Sequence, residues 1–131
     1  DSGLIARSLG AFDIANCASP AYLEAYGTPR KLEDLKRHRM VHFVGQMGAK
    51  PEGFEYPDGD GWRTMAMEGS VTVNSTESYN AAALAGLGII QVPRLGVQQD
   101  IDAGRLVEIM KRFRAEPMPV ALVYPQRRNL A

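Results

Sequence analysis

The sequence predicts an α/β fold built on a mixed central sheet flanked by helices. Three observations predict it. Apolar runs of strand length recur from one end of the chain to the other, near residues 12–17, 40–44, 70–74, 89–92, 106–109 and 120–124. Capped or glycine-terminated helical segments alternate with several of them. One stretch, VTVNSTESYNAAALAGLGIIQVP from Val71 to Pro93, reads as a complete strand–turn–helix–strand unit.

Each element has its own justification. Asp1 to Gly10 carries Leu4, Ile5 and Leu9 without a helix cap or an evident strand partner, so it is expected to be the tail of something upstream. Phe12, Ile14, Ala15 and Cys17 form the first apolar run. Ser19 and Pro20 then supply an N-cap and a first-turn proline, and Gly27 stops the short helix AYLEAY. A second short helix, KLEDLKRH, has Glu33 and Asp34 early and Lys36, Arg37 and His38 late, as a helix dipole favours. Met40–Val44 is a strand, and the glycine-rich 45–53 is a loop. Phe54–Tyr56 and Trp62–Met65 make a hairpin around a longer turn over 57–61. Val71 and Val73 alternate with polar residues into the next strand. Asn74 and Glu77 have capping-box spacing, and Asn74, Ser75 and Thr76 offer oxygens to the free N–H groups of a small, apolar helix. Gly86 and Gly88 stop it, and Ile89, Ile90 and Val92 are a buried strand. RLGVQQDIDAG reads as a polar-faced helix with Leu95 and Ile101 inward, ended by Gly104. Leu106–Ile109 is a strand, KRFRAEPMP crosses the surface, and Val120–Tyr124 is the last strand.

The totals narrow the function classes. With 131 residues, 45% apolar and 23% charged, the chain has the size and composition of one globular domain. Fifteen basic residues balance fifteen acidic ones, so no global field draws it to nucleic acid or to a membrane. The single Cys17 excludes an internal disulfide framework, and no apolar run approaches a membrane span. The expectation is a soluble, cytoplasmic protein.

No motif points to catalysis or to a metal. Cys17, His38 and His42 lack zinc spacing, and His38 and His42 are expected to be a dipole-matched cation and a satisfied strand residue. Asp58-Gly59-Asp60-Gly61 starts like a calcium loop, but Trp62 takes the next ligand position, so it is a turn. Gly86-Leu87-Gly88 follows a helix instead of opening one, unlike a dinucleotide fingerprint. The clusters at 36–39 and 111–114 are short and separated, and no pair of helices has helix-turn-helix spacing. The polar group Asn74, Ser75 and Thr76 either only caps its helix or caps it and meets a ligand.

Three segments carry a family resemblance: CASPAYL followed by Gly-Thr-Pro, NSTESYNAAALAGLGI, and the closing VALVYPQRR. The chain resembles the effector-binding domain of LysR-type transcriptional regulators over nearly its whole length. The resemblance implies a periplasmic-binding-protein-like (type II) lobe. Residues 1–14 would be a remnant of a first lobe and the incoming crossover strand, 15–119 the second lobe, and 120–131 the return crossover strand. A winged helix-turn-helix would precede Asp1 in the intact protein, so DNA would be met only through a domain absent from this chain.

The resemblance also implies a small-molecule effector held in an interlobe cleft, and the helix start at Asn74–Thr76 suits a polar or carboxylate-bearing one. The residues it places there are Ser19, Pro20, Phe43, Val44, Gly45, Asn74, Ser75 and Thr76, with Pro93 below. It implies no cofactor, no metal, no catalytic residue and no membrane partner, and a dimer or tetramer for the full-length protein. A transporter's solute-binding protein has the same fold and is the alternative. An enzyme on this fold would need an acid, base or nucleophile cluster in the cleft.

Overall fold

The computed structural model describes residues 3–126, and the expectations for Asp1, Ser2 and 127–131 lie outside the described residues. The core of the fold is a mixed sheet. β2 (Ile14–Ala18) is fully buried and runs antiparallel to both β7 (Ile90–Pro93) and β8 (Val107–Ile109). β3 (Arg39–Phe43) and β6 (Glu68–Val73) form a parallel pair, from Arg39↔Glu68 to Phe43↔Val73. A parallel bridge between Met40 and Ile89 joins the two pieces. There Val41 N donates to the Ile89 carbonyl at 3.0 Å, and Ile89 N donates to the Arg39 carbonyl at 2.9 Å. The strand sequence across the sheet is therefore β6-β3-β7-β2-β8. Gly88 is needed at that seam: a Cβ there would stand 2.9 Å from Met40 C and Val41 N.

Helix α2 (Thr76–Leu84) crosses between β6 and β7 and places Tyr79, Ala82 and Ala83 on Ala15, Cys17, Val41, Ile90 and Val92. Its small side chains let the backbone lie close to the sheet. The cap sits one residue later than the sequence pattern suggests. Ser75, not Asn74, is the N-cap, its Oγ accepting from Ser78 N at 3.2 Å, so Glu77 falls in the first turn and closes no box with Asn74. At the other end Gly86 (φ 82°) donates to the Ala83 carbonyl and Leu87 N to that of Ala82, which closes the helix with a Schellman motif.

The opposite face is covered by α1 (Pro20–Tyr26), a 3-10 turn over Leu32–Arg37, and the hairpin of β4 (Phe54–Asp58) and β5 (Gly61–Met65). Tyr22, Leu35 and Phe54 pack there with Ala18, Met40, Ile89, Ile109 and Met110. Burying a ring such as that of Phe54 contributes roughly 1.5–3 kcal/mol. The hairpin turn is tighter than expected: Asp58 pairs with Gly61, leaving Gly59 (φ 61°) and Asp60 as the turn. His38 is no exposed cation. It is buried, its Nδ1 lies 2.8 Å from the Tyr22 hydroxyl, and burial, then Arg37, holds its pKa below the ordinary histidine value.

Two other expectations fail for clear reasons. Leu4–Gly10 does have a partner: β1 (Leu4–Phe12) pairs antiparallel with β9 (Met118–Pro125), from Leu4↔Pro125 to Phe12↔Met118. A pairing this distant in sequence leaves no local pattern. Leu95 is 70% exposed, because a 3-10 turn over Arg94–Val97 precedes the short α3 (Gln98–Asp102). The tighter turn breaks the 3.6-residue period and puts Val97, not Leu95, into the core.

Candidate functional site

Parallel β3, β6 and β7 end together at one edge of the sheet. Phe43–Gly45, Asn74–Thr76 and Pro93 follow those ends, and Ile14, paired with Pro93, starts β2 beside them. The β1·β9 ribbon leads into the same edge through Phe12↔Met118. Such an edge, with a helix N-terminus above it, is where open α/β sheets hold small ligands. Ser19 and Pro20 are not there. β2 runs against β7, so its carboxyl end emerges at the opposite edge, where Ser19 Oγ accepts from Tyr22 N at 3.1 Å and caps α1.

At the ligand-side edge a cleft of about 460 Å³ opens between the sheet, the 51–55 segment and the approach to β9. Of the sequence-expected residues only Phe43 lines it. Its ring meets Tyr79 edge-to-face, with centroids 5.2 Å apart and planes at 73°. Val44 is buried and offers its backbone, N donating to the Val73 carbonyl at 2.9 Å. Asn74, Ser75 and Thr76 are exposed above this edge.

Beside His42, the residues that shape the cleft are mostly ones the sequence did not single out: Glu52, Glu55, Tyr79, Gln91 and Glu116. Gln91 is the organiser. Its side-chain amide accepts from Glu55 N at 2.9 Å and donates to the Glu55 carbonyl at 2.8 Å, pairing with β4 as a strand would. It also donates to Asn16 Oδ1 at 2.9 Å, and Asn16 Nδ2 in turn donates to the carbonyls of Met110 and Phe113. Gln91 N donates to the Tyr79 hydroxyl at 2.8 Å, and burial pushes the Tyr79 pKa up to about 12. The one sequence signal for this network was a polar residue inside each of two apolar runs, IANCA and IIQVP.

His42 Nε2 lies 3.1 Å from the Met67 carbonyl and is a satisfied strand residue. Burial, followed by the Glu108 charge, pushes the Cys17 thiol up to about 12, so it is a core residue and no nucleophile. Among the described residues no group of three or more His, Cys, Asp or Glu is arranged to hold a metal ion, and no helix is long and apolar enough to cross a membrane.

Fold and cleft together define one lobe of a periplasmic-binding-protein-like ligand-binding domain. The family model described as LysR substrate binding domain matches residues 1–131, and the chain belongs to that family. It is 47% identical over 131 residues to the uncharacterized HTH-type transcriptional regulator YhjC of Escherichia coli K12, spanning all of this chain and 44% of that protein. It is 32% identical over 133 residues to the HTH-type transcriptional activator AaeR of the same strain, spanning 99% of this chain and 41% of that one. The chain thus spans less than half the length of these relatives, which are transcriptional regulators and not transporter proteins. Among solved structures, the regulatory domain of AphB from Vibrio vulnificus superposes with a TM-score of 0.77 at 25% identity, covering all of this chain and 64% of that one. The regulatory domain of CrgA from Neisseria meningitidis, also a LysR-type regulator, gives 0.76 at 29% identity, covering 95% of this chain and 61% of that one.

Proposed function

We propose that this chain is the effector-sensing part of a cytoplasmic transcriptional regulator, in which a small molecule bound at the ligand-side edge of the sheet controls DNA binding by a separate helix-turn-helix domain. The observation that carries the reading is the cleft between the sheet's ligand-side edge and the approach to the β1·β9 ribbon. Phe43, Gly45, Asn74–Thr76 and Pro93 form the effector-side rim, with Val44 contributing backbone only. Ser19 and Pro20, on the far edge, leave the set.

Residues 15–119 act as the second lobe, and 1–14 with 120–131 act as the two crossings to a first lobe. The ribbon's Leu4, Leu9, Leu122 and Val123 are half or more exposed, as suits strands that another lobe's sheet would cover. The full-length protein works as a homo-oligomer, a dimer or tetramer. In this reading it needs no cofactor and performs no catalysis, as its relatives are transcriptional regulators.

The test is amide-resolved NMR of the chain during titration with a library of small metabolites. Shifts that cluster at Phe43, Tyr79 and Asn74–Thr76 support the reading, whereas a binder whose shifts cluster at the opposite edge around Ser19 refutes it. In parallel, the chain alone is expected to give no sequence-selective gel retardation of operator DNA.

A further inference from the structure

The walls of the cleft differ in chemistry. One presents the Phe43 ring, 43% exposed and braced by Tyr79. The rest brings in the carboxylates of Glu52, Glu55 and Glu116, and no lysine or arginine is among the described residues lining the cleft. Elsewhere some carboxylates have a cationic partner, while Asp13, Glu24, Asp60, Glu68, Glu77 and Asp102 have no ion pair among the described residues; what sets the three glutamates apart is that they stand together at one cleft. Glu108 is held by Arg94 and Arg114, Asp34 by Arg37, Asp58 by Arg63 and Asp100 by Arg105. Among the described residues, none of the three cleft glutamates has an ion-pair partner. Glu55 registers the crowding: burial first, then the charges of Glu116 and Glu52, push its carboxyl above the ordinary range. The α2 N-terminus does little to offset this, since Ser75 is occupied with Ser78 and Glu77 adds a negative charge in the first turn.

We propose that the effector turns a cation, a protonated amine or a guanidinium carried on an apolar or aromatic body, toward the wall of Glu52, Glu55 and Glu116. This rests on the reading of the cleft as the effector site and narrows the polar or carboxylate-bearing effector expected from sequence, whose polar group was expected at Asn74–Thr76. A cation relieves the repulsion among three carboxylates that have no ion-pair partner, and a ring wall at its side adds a cation–π attraction. A carboxylate ligand at the same place would add a fourth negative charge with nothing on this wall to balance it.

The experiment titrates the full chain with three probes that share a phenyl ring: phenethylamine, 2-phenylethanol and 3-phenylpropionate. Amide shifts report the place of binding and its affinity. Phenethylamine is expected to shift Phe43, Glu55, Tyr79 and Gln91 and to bind tightest, with the alcohol weaker and the acid weakest. In Glu55→Gln/Glu116→Gln the amine's affinity should fall roughly ten- to a hundredfold, the range for one charge-assisted hydrogen bond, while the alcohol's is unchanged. Glu116→Lys, at an exposed position, should bring the acid's affinity up to or past the amine's. If the acid binds the same residues more tightly than the amine in the wild type, the charge inference falls and the cleft reading stands. If no probe shifts the cleft residues, both fall.

Discussion

Replacing Gln91 by Leu, close to it in size, should cost this domain a large part of its stability. Three side-chain hydrogen bonds disappear: the pair with the Glu55 backbone at 2.8 and 2.9 Å, and the donation to Asn16 Oδ1 at 2.9 Å. Asn16 is fully buried, so its oxygen cannot recover a partner from water, and an orphaned acceptor of that kind costs about 1–3 kcal/mol. Glu55 is half-buried at a cleft wall, where water replaces the lost partners in part, so each backbone group there loses only about 0.5–1 kcal/mol. The apolar gain of Leu is small where polar groups surround it. The expected loss is about 2–5 kcal/mol, against about 5–15 kcal/mol for an ordinary domain. Urea unfolding measures the loss, and hydrogen exchange at the Glu55 amide locates it, because that N–H loses its acceptor. A loss under about 0.5 kcal/mol, or unchanged Glu55 protection, would mean that the network is ornamental and the hairpin is held by Phe54 alone.

The remaining expectations are shorter. Cys17 is fully buried with its thiol held near 12, so it should label with maleimide only as fast as the domain unfolds; prompt labelling in native buffer would contradict the structure. Gly88→Ala puts a Cβ 2.9 Å from the β3 backbone and should destabilise by about 1–3 kcal/mol or more, read as a lowered melting temperature. Glu108 has its pKa lowered from 4.5: burial opposes the charge, but the hydrogen bonds and charges of Arg114 and Arg94 outweigh it. A depressed carboxylate stabilises fully above its unfolded value and loses that contribution as pH falls through its folded one, so Glu108→Gln should lower stability at neutral pH and flatten its decline below about 4.5. Thr76→Trp, at an exposed helix start, should leave the fold intact and weaken effector binding by the intact regulator, measured by calorimetry; unchanged affinity would reduce Asn74–Thr76 to a helix cap.

The sheet and its order of elements were legible because strands here are short apolar runs bounded by glycine, proline and caps. The α2 unit was read almost to the residue, and the error there, Asn74 for Ser75, came from a spacing rule that cannot see where β6 ends. What sequence could not show was direction. Ser19 was placed at the site only by the family resemblance, and its local pattern, a strand followed by a helix cap, does not say which end of the sheet it occupies. Only the antiparallel placement of β2 against β7 sends it to the far edge. Likewise Glu52, Glu55 and Glu116 drew no notice in the sequence, since nothing local tells that 51–55 and 115–118 meet at one cleft.

Asn16 and Gln91 explain why two amides are tolerated inside otherwise apolar strands. An apolar pair would fill the same space, but it could not bind the backbone of β4 on one side and the 110–113 turn on the other. Through Asn16 Nδ2 to the Met110 and Phe113 carbonyls, and through Gln91 to Glu55, the amide pair ties the segment leading into β9 to the segment bearing the cleft glutamates. Met110 adopts φ 49°, a conformation rare for a residue with a side chain, and its carbonyl accepts one of those hydrogen bonds. The amide pair thus fixes β4, which carries Glu55, and the 110–113 turn, a few residues ahead of β9, to the same two buried strands.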